Sequence, residues 1–139
     1  MEFFERAVFP PLAQEVQRMP IAFKVIKIKV ERTSCSDTFE SKEPVEFRHK
    51  IRLDEKDNRV VDVALRSFKF EVLYNGAVED FEIGGQEVNL RFEGNGHDSG
   101  QVVLKANLRP RKQLASADPA WQFQGQVEAL VIAELEPLK

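Results

Sequence analysis

The chain has 139 residues, 42% hydrophobic and 31% charged, with a formal net charge of −3. That balance is ordinary for a globular protein and is long enough for one domain with its own core. It excludes a whole-protein field that would favour nucleic acid or an anionic membrane. The one cysteine, Cys35, excludes an intrachain disulfide and fits a reducing compartment.

Residues 1–19 read as helical. Phe3, Phe4, Ala7 and Val8 recur at helical spacing. Pro10 and Pro11 interrupt the pattern, and Leu12, Val16 and Met19 continue it on a second short helix that ends at Pro20. The start of the chain has no basic region followed by a long apolar core, so it is not read as a secretory signal. Near the other end, the longest wholly apolar run is 129–133, too short to cross a bilayer. The expected location is the cytoplasm, with no membrane partner.

From residue 20 the apolar period becomes two. In "FKVIKIKV" (23–30) the parity switches between Val25 and Ile26. A β-bulge there would turn Phe23, Val25, Ile28 and Val30 inward and Lys24, Lys27 and Lys29 outward. A second strand is expected over 45–53, with Val45, Phe47, His49, Ile51 and Leu53 on one face and Arg48, Lys50 and Arg52 on the other. "DEKDN" (54–58) reads as a turn. A long strand from Val61 to Tyr74 changes parity at Arg66 and Ser67, again a bulge or bend. Asn75-Gly76 is the signature of a type I′ turn, which predicts a hairpin of 68–74 with 77–83.

Gly84-Gly85 is expected to break that strand, and Val88, Leu90 and Phe92 resume it with switched parity. "GNGHDSG" (94–100) reads as a loop. Val102, Leu104, Ala106 and Leu108 then face inward up to Pro110, and residues 110–120 form a polar connection. The last strand buries Trp121, Phe123, Val127, Ala129, Val131, Ala133 and Leu135. The pattern predicts one domain over 1–139: a helical segment (1–19) and an antiparallel β core (20–139). The core is expected to be a β-sandwich or partly open barrel of about six to eight strands.

Catalytic material is sparse. A cysteine nucleophile needs a base, but Cys35 lies in the polar stretch "TSCSDT" and His49 on an apolar strand face. The pattern therefore implies a solvated thiol and a buried core histidine. His97-Asp98 lacks the further ligands that a metal needs. Glu79, Asp80 and Glu82 read as a solvated acidic stretch, and the glycine-rich loop lacks the lysine and following helix of a phosphate loop. No catalytic residue, cofactor or metal is expected.

Three binding readings remain. The first is a non-enzymatic interaction or assembly module that associates with itself or another protein. Its candidate interface is the N-terminal face of Phe3, Phe4, Val8, Leu12, Val16 and Met19. The second is a carrier of a small hydrophobic ligand within a barrel, lined by Phe23, Phe47, Phe68, Phe70, Phe92, Trp121 and Phe123. The third is a basic face of Lys24, Lys27, Lys29, Arg48, Lys50 and Arg52. The missing aromatics and the interspersed Glu31 and Glu46 argue against nucleic acid there. Lysines on an outer strand also keep edges from mispairing.

Overall fold

The computed structural model describes residues 20–80, 82–111 and 120–137. Seven strands lie in this region: β1 (Ile21–Ser34), β2 (Phe39–Glu46), β3 (Val61–Tyr74), β4 (Ala77–Val78), β5 (Ile83–Glu93), β6 (Ser99–Pro110) and β7 (Trp121–Glu134). They form two antiparallel sheets, one of order β1-β7-β3-β4 and one of order β2-β6-β5. The inner faces share one core. Ile28, Val30, Val72, Phe123, Val127 and Val131 come from the four-stranded sheet, and Val45, Val102, Leu104, Ala106 and Leu108 from the three-stranded one. The fold is mainly β and open rather than a closed barrel. The helices expected over 1–19 lie outside the described residues.

Period two governs the strands, and bulges explain most of the parity switches. The register of β3 against β7 shifts between Leu65 and Ser67, where the sequence changes parity. That of β5 against β6 shifts between Ile83 and Gly85. Gly84-Gly85 therefore sits within a bulged strand instead of ending one. The expected bulge at Val25/Ile26 does not exist. β1 pairs with β7 in unbroken register from Ile21 to Val30, and its irregularity comes later, between Val30 and Thr33. With no bulge, the even residues Ala22, Lys24, Ile26, Ile28 and Val30 face inward, and Phe23 and Val25 stay outside.

The Asn75-Gly76 turn forms with both residues at positive φ, 51° and 85°. Its second arm is only the two residues of β4, after which the chain crosses to the other sheet to begin β5. The strand expected over 45–53 is also displaced. β2 covers 39–46, and beyond it Ile51 and Leu53 make only isolated bridges, to Leu135 and Arg59. In the 54–58 turn, backbone N–H groups of Asn58 and Lys56 donate to the Asp54 carboxylate at 2.9 and 2.8 Å, which lowers its pKa.

The glycine-rich loop is a braced connection. The guanidinium of Arg59 donates to the carbonyls of Gly94, Gly96 and Ser99 and stands 5.2 Å from the centre of the Phe92 ring. The 47–51 segment ties the loop from its other side: the N–H of Phe47 donates to Asp98 O (2.8 Å) and that of Ile51 to His97 O (2.7 Å). On the outer face of the three-stranded sheet, Val103 is buried between its register partners Lys42 and Arg91. Both bases reach Glu93, at 3.4 and 3.2 Å, and the Lys42 contact leads in holding that carboxyl below its usual range.

Candidate interaction surface

The outer face of the four-stranded sheet can be read as rows across β1, β7 and β3. Unbroken register in β1 puts Ile21, Phe23 and Val25 on this face, 55%, 65% and 44% exposed. Phe23 lies beside Ile132 and Asp62, and Val25 beside Leu130 and Ala64. Across β1 and β7 these two rows form an apolar strip, which ends on β3 at Asp62 and Ala64. Ile21 and Glu134 border it at one end, where Glu134 accepts from Arg52 Nε at 2.9 Å. At the other end Glu128 gathers Arg66 Nη1 (3.3 Å), Ser67 Oγ (3.1 Å) and Lys27 Nζ (3.9 Å). Lys29, Gln126 and Lys69 make the next row, at the edge of an open cleft of about 860 Å³.

The edges of this sheet carry features that oppose further strand pairing. β1 is an edge strand, and its Lys24 points inward, with Nζ 5.9 Å from the centre of the Phe47 ring. An inward-pointing charge on an edge strand penalises burial by another chain. β3 is covered by β4 only at Leu73 and Tyr74, and its uncovered length contains the bulge at Arg66. A bulge twists an edge away from a regular partner. The only charged residue in the two apolar rows is Asp62, at their β3 end.

The six bases expected on one face are not brought together. The second strand belongs to the other sheet, so β1 is paired with β7 instead. Lys24 faces inward, and Lys27 and Lys29 face outward. Arg48 and Lys50 are exposed in the segment after β2, and Arg52 is tied to Glu134. The interface candidates Phe3, Phe4, Val8, Leu12, Val16 and Met19 lie outside the described residues.

Two readings of single residues are corrected. Cys35 is completely buried in the core, its N–H donating to Trp121 O at 3.0 Å, and burial pushes its thiol up to about 11. The polar neighbours in "TSCSDT" concealed a chain that turns Cys35 inward just after β1. His49 is half-buried, because the strand meant to enclose it ends at Glu46. Glu82 is held by Arg111 at 2.6 Å.

The aromatic set expected to line a barrel is dispersed. Phe47 and Phe123 are buried, Phe70, Phe92 and Trp121 pack partly buried against the core, Phe68 is 42% exposed, and Phe23 lies on the outer face. The Phe70 ring meets Phe123 edge-on at 5.9 Å, and these side chains fill space between the sheets. The apolar strip was missed because the supposed bulge had turned Phe23 and Val25 inward. The odd positions Ile21, Phe23 and Val25, read as one unbroken strand face, would have revealed it.

Searches against protein-family models, curated proteins and solved structures return no match. Among the described residues, no helix is long and apolar enough to cross a membrane.

Proposed function

We propose that the chain is a non-enzymatic assembly module that self-associates, with two copies packing the outer faces of their four-stranded sheets together. The observation that carries this reading is the exposed strip of Ile21, Phe23 and Val25 beside Leu130 and Ile132. Face-to-face packing suits it better than strand addition, given the inward Lys24 and the bulge at Arg66.

Charge supports a second copy as the occupant. A two-fold axis in the interface plane, between the Phe23 and Val25 rows, stacks the strands antiparallel. It sets the Glu134 end of one copy over the Lys27 and Arg66 end of the other. Covering the three exposed side chains on both copies gains on the order of 6 kcal/mol. Association itself costs at least about 4 kcal/mol. The dimer is therefore weak and its mass depends on concentration. A cytoplasmic location fits the single, buried thiol.

Cross-linking tests the arrangement. Facing sheets lie about 10 Å apart, so a short bis-maleimide should join Val25→Cys to its symmetry mate. Val78→Cys, also exposed but at the far edge of the sheet, should not cross-link. Equal cross-linking at both positions would contradict the proposal. Cross-linking that appears only after deletion of residues 1–19 would assign the strip to that segment instead.

A further inference from the structure

Beyond the apolar strip, on the same sheet face, lies the cleft of about 860 Å³, lined by Lys29, Arg32, Lys69, Gln124, Gln126 and Glu71 among others. Two irregularities and one glycine surround it. β1 carries an extra residue between Val30 and Thr33, and β3 another at Arg66. Between them, Gly125 on β7 is so closely approached by the backbone of β3 that no Cβ could fit. Bulges increase local twist and bend, and here they flank the central strand.

The bases of the cleft, like Arg48, Lys50, Lys56, Lys105 and Arg109 elsewhere, are without an ion pair among the described residues, while six others are paired. Lys27, Arg52, Arg66, Lys42, Arg91 and Arg111 each reach a carboxylate. Lys29, Arg32 and Lys69 make no ion pair among the described residues, although Glu31 and Glu71 line the same cleft. Glu71 instead accepts from Gln124 Nε2 at 3.2 Å. Lys29 and Lys69 flank Gln126 in one row, which sets two ammonium groups and one amide donor side by side with no acid between them.

We infer that this row binds a compact tetrahedral oxyanion, the phosphate or sulfate ester of a small molecule. The Arg32 guanidinium instead reaches the Asn75-Gly76 turn, 3.9 Å from where a Cβ at Gly76 would stand. Charged donors on β1 and β3, the two strands that flank β7, can reach such a group from either side of Gln126, and charge-assisted hydrogen bonds are the strong ones. Glu31 and Glu71 favour a compact anion over a long polyanion, because a continuous phosphate backbone crossing the cleft would meet both carboxylates. The site stands apart from the proposed self-association, since the two-fold packing leaves the Lys29 row beyond the end of the apolar strip.

Calorimetric titration of the full chain at low salt tests the inference, with pyrophosphate and inorganic sulfate as probes. Saturable binding at one site is expected. Lys29→Gln with Lys69→Gln should weaken it about tenfold or more. Lys27→Gln, one row away and paired with Glu128, should leave it nearly unchanged, as should Phe23→Glu on the apolar strip. Preference for pyrophosphate would identify phosphate as the source, and comparable sulfate binding would extend the site to sulfate esters. Absence of saturable binding at millimolar probe overturns the inference. So does equal binding by the double variant with an unchanged circular dichroism spectrum, or tighter binding of a single-stranded oligonucleotide than of pyrophosphate.

Discussion

Gly125→Ala is expected to destabilise the protein markedly. The added Cβ would overlap the Lys69 carbonyl oxygen and lie 2.7 Å from Phe70 Cδ1. The ring could swing aside at the expense of its edge-on contact with Phe123. The carbonyl belongs to the β3 backbone, whose register with β7 fixes it. Overpacking of this kind costs about 3 kcal/mol, of which replacing glycine within a strand returns about 0.5–1 kcal/mol. The net loss of about 2 kcal/mol lowers Tm by about 7 °C for a chain of this length. Thermal denaturation followed by circular dichroism reads it directly. Adding Phe70→Leu should not restore stability, because the backbone clash remains. An unchanged Tm for Gly125→Ala would refute the close approach of β3 to β7, and with it the account of the cleft.

Further consequences follow from other parts of the fold. Arg59→Met should cost about 2 kcal/mol or more by leaving three loop carbonyls without their charged donor, and hydrogen exchange should rise selectively around residues 94–100. Gly76→Val should cost about 1 kcal/mol or more, since a β-branched residue resists the φ of 85° found there; an unchanged urea midpoint would contradict the turn. Cys35 should react slowly with iodoacetamide at pH 8.5 in the folded protein and rapidly in urea. Its raised pKa also has a stability consequence: the unfolded chain loses the thiol proton near pH 9 while the folded chain holds it to about 11. The stabilisation is thus complete below pH 9 and is lost as pH rises toward 11; stability rising across that window would contradict burial of the thiol.

Much of the β architecture is legible in the residues. Apolar residues at every second position over Val102–Leu108 and Val127–Leu135 mark the inner faces of β6 and the end of β7, since a one-residue slip would turn each whole set outward. Parity switches located the bulge at Arg66, and Asn75-Gly76 located the tight turn. The same rule failed at Val25/Ile26 because β1 is amphipathic on neither face: its outer side is apolar at Ile21, Phe23 and Val25, and its inner side holds Lys24. Alternation assumes that one face is wet and one is dry, and a strand with an apolar outer face breaks that assumption. The candidate surfaces were less legible, because they arise from strands far apart in sequence. β1 touches β7, about a hundred residues later, so Phe23 beside Ile132 and Lys29 in one row with Lys69 follow only from sheet order. Arg59 likewise gave no sign of its role, being a lone base after a turn whose partners are backbone carbonyls of a loop 35 or more residues away.

The central claim is that the exposed rows on the outer sheet face join two copies of the chain. Sedimentation equilibrium of the wild type and of Phe23→Glu, across micromolar to millimolar concentration, tests it most directly. Phe23 is 65% exposed, so the substitution should leave the fold intact. The wild-type mass should climb from monomer toward dimer with concentration, while the variant stays monomeric with an unchanged circular dichroism spectrum. A wild type that remains monomeric throughout, or a Phe23→Glu variant that dimerises equally well, would contradict the claim.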